Sequence, residues 1–203
     1  MSQVLSYGGV NLYEDDLKLL EKGNWLNDRI LSFCAEYLGE KNEKVHIFGP
    51  PEVEMIKMAP EPSFVVECFG SIDFEKKDVV CFMLNDNADA SKIAGGSHWT
   101  LLVYLRTLKQ YVHLNSAPTA NQNSIWTRKI ARNCLALLGG DLEVREIPCP
   151  SQRNGADCGV FVMEYAKFIA ENGDLSEISN LKSEKISQQR IWWKNLILEL
   201  SNK

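Results

Sequence analysis

The period of the apolar positions changes several times along this chain, and each change marks an element. Residues 160–163, 165, 166 and 168–170 are apolar nearly all the way round a helical wheel, which predicts a helix buried in the middle of a domain and stopped at Asn172-Gly173. Positions 30, 31, 33, 34, 37 and 38 fall on one side of a second helix, entered through Asn24-Trp25-Leu26-Asn27-Asp28. Residues 79–84 form a continuous apolar run between polar flanks, the mark of a central strand covered on both faces. Segments 99–105 and 110–115 predict two more strands joined by 106–109, in a register where Leu105 faces Gln110, Leu102 faces His113 and Thr100 faces Asn115.

Weaker patterns fill in the rest. Residues 1–13 alternate and predict an extended lead-in or a small hairpin about Gly8-Gly9; 14–21 is a short helix stopped by Gly23. Pro50-Pro51 opens a helix carrying Val53, Met55, Ile56 and Met58, closed before Pro60. Residues 124–138 read as one helix ending at Gly139-Gly140, 142–147 as a strand, and 184–200 as an amphipathic helix with Trp192 and Trp193. Between strands, 85–97 is a polar loop long enough to suggest a functional role. With no repeat, low-complexity segment or linker, residues 1–203 read as a single α+β domain, helices towards the ends and a mixed sheet in the middle.

Composition narrows the partners. The 203 residues are 45% hydrophobic, which supports a full-sized core, and 22 basic against 27 acidic residues give a net charge of −5. With no basic run, nucleic acid is not an expected partner. The N-terminus lacks signal architecture and no apolar run reaches membrane-spanning length, so no membrane partner is expected either. Cysteines 34, 68, 81, 134, 149 and 158 lack paired metal-type spacing and read as reduced thiols of a cytoplasmic or nuclear protein. No metal or cofactor is implied.

The chemistry gathers at one junction. The polar stretch 148–157 runs straight into the buried helix with Cys158 at the boundary. Asp157 is a good N-cap residue, which would place Cys158 in the first turn, where free backbone N–H groups and the positive end of the dipole stabilise a thiolate. Gly159 would leave the approach to the sulfur open. A cysteine nucleophile also needs a base and a group to orient it. Of the three histidines, His98 stands at the mouth of a strand after Gly95-Gly96, diagonal to Asn115 on one face, whereas His113 lies farther along between Val112 and Leu114. Gln152, in the loop before Cys158, could donate to an oxyanion together with the Cys158 backbone N–H. Taken singly, these residues read as core cysteine, core tryptophan or surface amide; their order carries the information.

Trp25-Leu26-Asn27-Asp28, Gly96-Ser97-His98-Trp99, Gln152 and Asp157-Cys158-Gly159 together resemble the Ulp/sentrin-specific protease family, cysteine proteases that process ubiquitin-like modifiers. The resemblance covers nearly the whole chain in order. The opening Leu5-Ser6-Tyr7 and the stretch 85–104 are most similar to the deneddylase branch, which acts on the modifier attached to cullins. It implies a papain-like fold, a buried helix carrying the nucleophile, Cys158 as nucleophile, His98 as general base and acid, and Gln152 as oxyanion donor. It also implies that Trp25 and Trp99 clamp the modifier's Gly-Gly tail, since only glycine is thin enough to pass between two indole faces. Beside Trp25, Asp28 is expected to pair with an arginine preceding the tail, and loop 85–97 to close over it. Trp126, Trp192 and Trp193 match nothing in the family and read as packing residues.

One position departs from the family, which commonly has Asp where this chain has Asn115. An amide orients an imidazole but adds no charge, as in the Cys-His-Asn set of papain-like proteases. The resemblance therefore implies a monomeric protease cleaving after Gly-Gly of a Nedd-type modifier, on precursors or on conjugates such as cullins. The rivals are a SUMO-directed protease, a catalytically weak modifier-binding module, and an acyltransferase, for which no cofactor loop is recognisable.

Overall fold

The computed structural model describes residues 2–89, 91, 92, 95–117 and 123–202. A hairpin comes first: β1 (Gln3–Tyr7) and β2 (Val10–Tyr13) turn at Gly8 and Gly9, both at positive φ (54° and 85°), as a two-residue hairpin turn requires. Helix α1 (Glu14–Leu19) and α2 (Asp28–Gly39) follow, the second capped by the Asn27 side chain, which accepts the Ile30 N–H at 3.1 Å. Strand β3 (Val45–Phe48), α3 (Pro50–Met58) and α4 (Pro62–Phe69) lead to β4 (Val79–Asn85). β3 and α4 have no counterpart in the sequence pattern, because four residues show no period and a single apolar pair, Val65 and Phe69, is all that α4 buries.

Strands β5 (Trp99–Leu105) and β6 (Gln110–Leu114) pair antiparallel in the predicted register, with Leu105 opposite Gln110 and Leu102 opposite His113. The helix expected over 124–138 is broken into α5 (Asn123–Asn133) and α6 (Leu135–Leu138) at Cys134, whose ψ flattens to 0°. Just before the break, buried Asn133 donates to the Ile56 carbonyl at 2.8 Å, so α5 is tied to α3 where it ends. Strand β7 keeps only Val144–Glu146 of the predicted 142–147. Helix α7 (Cys158–Asn172) stops at Gly173 in the left-handed region, and α8 (Ser183–Ser201) completes the chain.

The five-stranded sheet runs β3-β4-β5-β6-β7, antiparallel at β4–β5–β6 and parallel at both margins. Both faces are covered. One core joins α2, α7, α8 and the hairpin to Cys81, Met83, Leu101 and Val103; the other joins α3 to α6 to Val80, Phe82, Leu102 and Tyr104. Burial on two sides explains why Val79 to Leu84 reads as an unbroken apolar run. It also corrects the sequence expectation on one point: helices α3 and α4 lie between strands, not only towards the ends. Helix α7 sits on β5 with α2 and α8 around it, which puts its first residue at the C-terminal side of the Trp25 segment and at the N-terminal end of β5.

Candidate active site

The loop before α7 is built by side chains that bond their own backbone. Asn154 Oδ1 accepts the N–H groups of Ala156 (2.9 Å) and Asp157 (3.0 Å), turning the chain into the helix. Asp157 does not cap α7 with its side chain, contrary to expectation; only its carbonyl serves the helix, accepting the Phe161 N–H at 3.0 Å. Its carboxylate is claimed by Arg190 of α8, which reaches Oδ1 from Nε at 2.9 Å and from Nη2 at 2.7 Å. The same guanidinium donates to the carbonyls of Leu19, Glu21, Asn24 and Ala156 at 2.8–3.3 Å. One buried cation thus fastens the loop before Cys158 to the segment that carries Trp25.

Gly159 also serves packing rather than access. A Cβ there would lie 3.0 Å from Leu26 Cβ, so the glycine lets the start of α7 close on the residue next to Trp25. The sulfur of Cys158 is buried, and burial pushes the thiol pKa up. The backbone N–H groups of Trp99, Gly159 and Cys158 work the other way, while Asp86 adds to the rise. Desolvation at this site works against the thiolate that the helix terminus favours, and the net direction of the thiol pKa is upward. Alkylation of Cys158 by iodoacetamide, followed on its own peptide, should keep accelerating as pH rises past about 8.5, the ordinary thiol pKa. A plateau already reached at neutral pH would contradict this.

His98 and Asn115, the expected base and its orienter, meet as the register predicted. His98 Nε2 lies 2.8 Å from Asn115 Oδ1, both side chains being buried. The same Oδ1 accepts the Ala117 N–H at 3.0 Å. A backbone N–H can only donate, so that atom is the amide oxygen, and His98 Nε2 must carry a hydrogen to bond it. Nδ1 is then the nitrogen left for proton transfer. The sulfur of Cys158 lies beside the peptide linking His98 to Trp99, close enough for the Trp99 N–H to act on it. His113, by contrast, bonds Glu146 through Nδ1 and stays apart from this set.

Gln152 is half-buried and stitched to the residue after Asn115: its N–H donates to Ser116 O (2.9 Å), Ser116 Oγ donates to its Oε1 (2.7 Å), and its Nε2 donates to Asn154 O (2.6 Å). One of the two amide hydrogens is thereby committed to the loop. Trp99 is buried and donates from Nε1 to the Leu26 carbonyl at 3.1 Å, whereas its neighbour across this link, Trp25, is 53% exposed. Asp28 opens α2 on the same side; it is exposed as a residue, yet desolvation at the carboxyl raises its pKa against the pull of its backbone N–H, Arg29 and Lys57.

Residues 24–202 match the Ulp1 protease family, C-terminal catalytic domain. The chain belongs to that family. It is 33% identical to "Sentrin-specific protease 8" of Rattus norvegicus over 98% of its own length and 96% of the relative's. It is 30% identical to "NEDD8-specific protease 1" of Arabidopsis thaliana over 83% of its length and 76% of the relative's. In fold it is similar to the Ulp1 protease domain solved in complex with Smt3, the yeast ortholog of SUMO, with a TM-score of 0.80 at 19% identity, over 100% of this chain and 89% of that one. A papain-like α+β cysteine protease fold and cysteine protease chemistry follow from this membership. Among the described residues no helix is long and apolar enough to cross a membrane.

Two residues of this Ulp1-family site escaped the sequence reading. Arg190 could have been found, because it sits on the stripe Ile186, Arg190, Trp193, Ile197 that α8 buries, an arginine where the spacing demands an apolar residue. Asp86 read only as part of a polar loop, although it directly follows a strand that is buried up to Leu84.

Proposed function

We propose that this chain, acting as one domain over 1–203, cleaves after the C-terminal Gly-Gly of a Nedd-type ubiquitin-like modifier, on precursors or on conjugates such as cullins. The observation that carries the mechanism is the shared Asn115 oxygen, which sets the hydrogen of His98 on Nε2. As the sulfur of Cys158 attacks the glycine carbonyl, Nδ1 of His98 takes the thiol proton. The carbonyl oxygen becomes an oxyanion, facing the Cys158 N–H and the uncommitted hydrogen of Gln152 Nε2. Collapse breaks the C–N bond; the departing amine takes the proton from Nδ1 and leaves a thioester. Water, deprotonated by Nδ1, then attacks the thioester, releasing the modifier's carboxylate and returning the proton to the sulfur.

The raised thiol pKa makes this concerted removal of the proton more natural than a resting ion pair. Trp25 and Trp99, joined through Leu26, supply the two indole walls for the tail. The name of the 30% identical relative, "NEDD8-specific protease 1", favours the Nedd-type modifier over SUMO. Asp28 would face the arginine before the tail: Asp28→Ala should raise KM about 2- to 5-fold, the worth of an exposed ion pair, with Tm nearly unchanged. An unchanged KM would defeat that pairing.

The deciding test is capture. Nedd-type modifier, SUMO and ubiquitin, each bearing a thiol-reactive C-terminus, are incubated with the chain and with Cys158→Ala. A covalent adduct with the Nedd-type modifier alone, absent from the variant, supports the reading; capture of SUMO alone would reassign the substrate. Binding without capture would leave a modifier-binding module. The free thiols support the cytoplasmic or nuclear reading.

A further inference from the structure

Asp86 takes no part in the chemistry above, yet its carboxylate is buried and spends both oxygens on two consecutive residues. Oδ1 accepts the N–H of Ser97 at 2.6 Å and of His98 at 2.9 Å, and Oδ2 accepts the Ser97 hydroxyl at 2.7 Å. Its own N–H donates to the His98 carbonyl at 3.2 Å. These bonds lie one step beyond the last pair of the β4–β5 ladder, Asn85 opposite Trp99, where a strand end would otherwise fray.

Asp86 is itself held from both sides. Lys57 of α3, fully buried, donates from Nζ to Asn85 O at 3.1 Å and to Asn87 O at 2.6 Å. The chain passes so close at Gly96 that a Cβ would stand 1.6 Å from Asn85 Oδ1 and 2.8 Å from Asp86 Oδ1. Only glycine fits there.

We propose that Asp86 is a positioning residue for the cleavage reaction: it fixes the backbone at Ser97 and His98, leaving side-chain rotation as the imidazole's only freedom, which Asn115 removes. The inference rests on His98 being the base. The charge of Asp86 opposes ionisation of the neighbouring sulfur, so thiolate stabilisation is not its role. A carboxylate accepts all three donors at once, and a misplacement of about 1 Å in a reacting group can cost on the order of 10² in rate.

The test compares Asp86→Ala, Asp86→Asn and Ser97→Ala with the unaltered chain, using a fluorogenic amide of the Nedd-type modifier and the ring ¹⁵N signals of His98 without substrate. Asp86→Ala should lower kcat about 10- to 100-fold with KM within about twofold, and should blur the Nε2–H signal of His98. Asp86→Asn keeps an oxygen for the two backbone donors and should recover most of kcat; Ser97→Ala, which loses one bond, should lose only a few-fold. Unchanged kcat in Asp86→Ala overturns the proposal. So does a rise in KM alone, which would mean contact with the modifier, or an Asp86→Asn as poor as Asp86→Ala, which would mean that charge matters and bonding does not. If Asp86→Ala does not fold, unchanged kcat and an unchanged His98 signal in both other variants overturn it. Should the unaltered chain cleave no modifier at all, the substrate reading fails, while the His98 ring signals still decide the role of Asp86.

Discussion

Arg190→Met is expected to lower the unfolding free energy by about 3–5 kcal/mol, the cost of removing one partner from a buried ion pair. For a domain whose whole stability is about 5–15 kcal/mol, that is a large share. The reason is what stays behind. Asp157 keeps a carboxylate in a site where both members of the pair are 5% exposed or less, and the carbonyls of Leu19, Glu21, Asn24 and Ala156 lose their donor. Asp157→Asn added to Arg190→Met should restore part of the loss by removing the uncompensated charge. Chemical denaturation of the single and double variants measures both.

The pH dependence should change sign with it. In the natural chain burial pushes the Asp157 carboxyl up, but hydrogen bonds from Asn154, Ser187 and Arg190, with the guanidinium charge, leave its pKa below the usual value. A depressed carboxyl contributes stability above its unfolded pKa, about 3.9, and that contribution is lost as pH falls through the folded value. Without Arg190 only the hydrogen bonds of Asn154 and Ser187 oppose desolvation, and the folded pKa is expected to move above the unfolded one. The site then favours folding only while protonated, so Arg190→Met should melt higher at about pH 5 than at about pH 8. A Tm independent of pH across that range would mean that water or a rearranged side chain has replaced the guanidinium.

The second large effect concerns turnover. Asn115→Ala should reduce kcat on the order of 10³, within the range that a correctly held general acid–base supplies, while also removing the two hydrogen bonds that its Oδ1 accepts. Asn115→Asp should stay within about tenfold of the natural chain. Fixing the hydrogen on Nε2 is the greater part of what an orienting residue does, and the amide already does it, locked by the Ala117 N–H at 3.0 Å. A gain of several orders of magnitude in Asn115→Asp would show that charge, not orientation, limits this enzyme.

Much of this was readable before any coordinates. The β5–β6 register follows from a four-residue connection and a period of two, and it alone placed His98 beside Asn115. The all-round apolar pattern of α7 and its glycine stop were equally plain. What failed to show were features decided by long-range competition. Asp157 has the composition of a cap, but an arginine 33 residues away outbids the helix N–H groups for its carboxylate. Cys158 occupies the position that favours a thiolate, yet burial there outweighs the dipole, and burial is a property of the packed fold rather than of a local motif. Likewise β3 is a strand only because β4 offers it a parallel edge, and nothing in Val-His-Ile-Phe announces that neighbour.

The guanidinium that fastens the loop before Cys158 belongs to α8, so during synthesis it leaves the ribosome after every other residue of the site. Until then the acid before Cys158 has no cation, and the Trp25 segment lacks the guanidinium that ties its carbonyls to the loop before α7. A growing chain can therefore form its sheet and even seat His98 on Asn115 before α8 docks and Arg190 closes on the loop before Cys158.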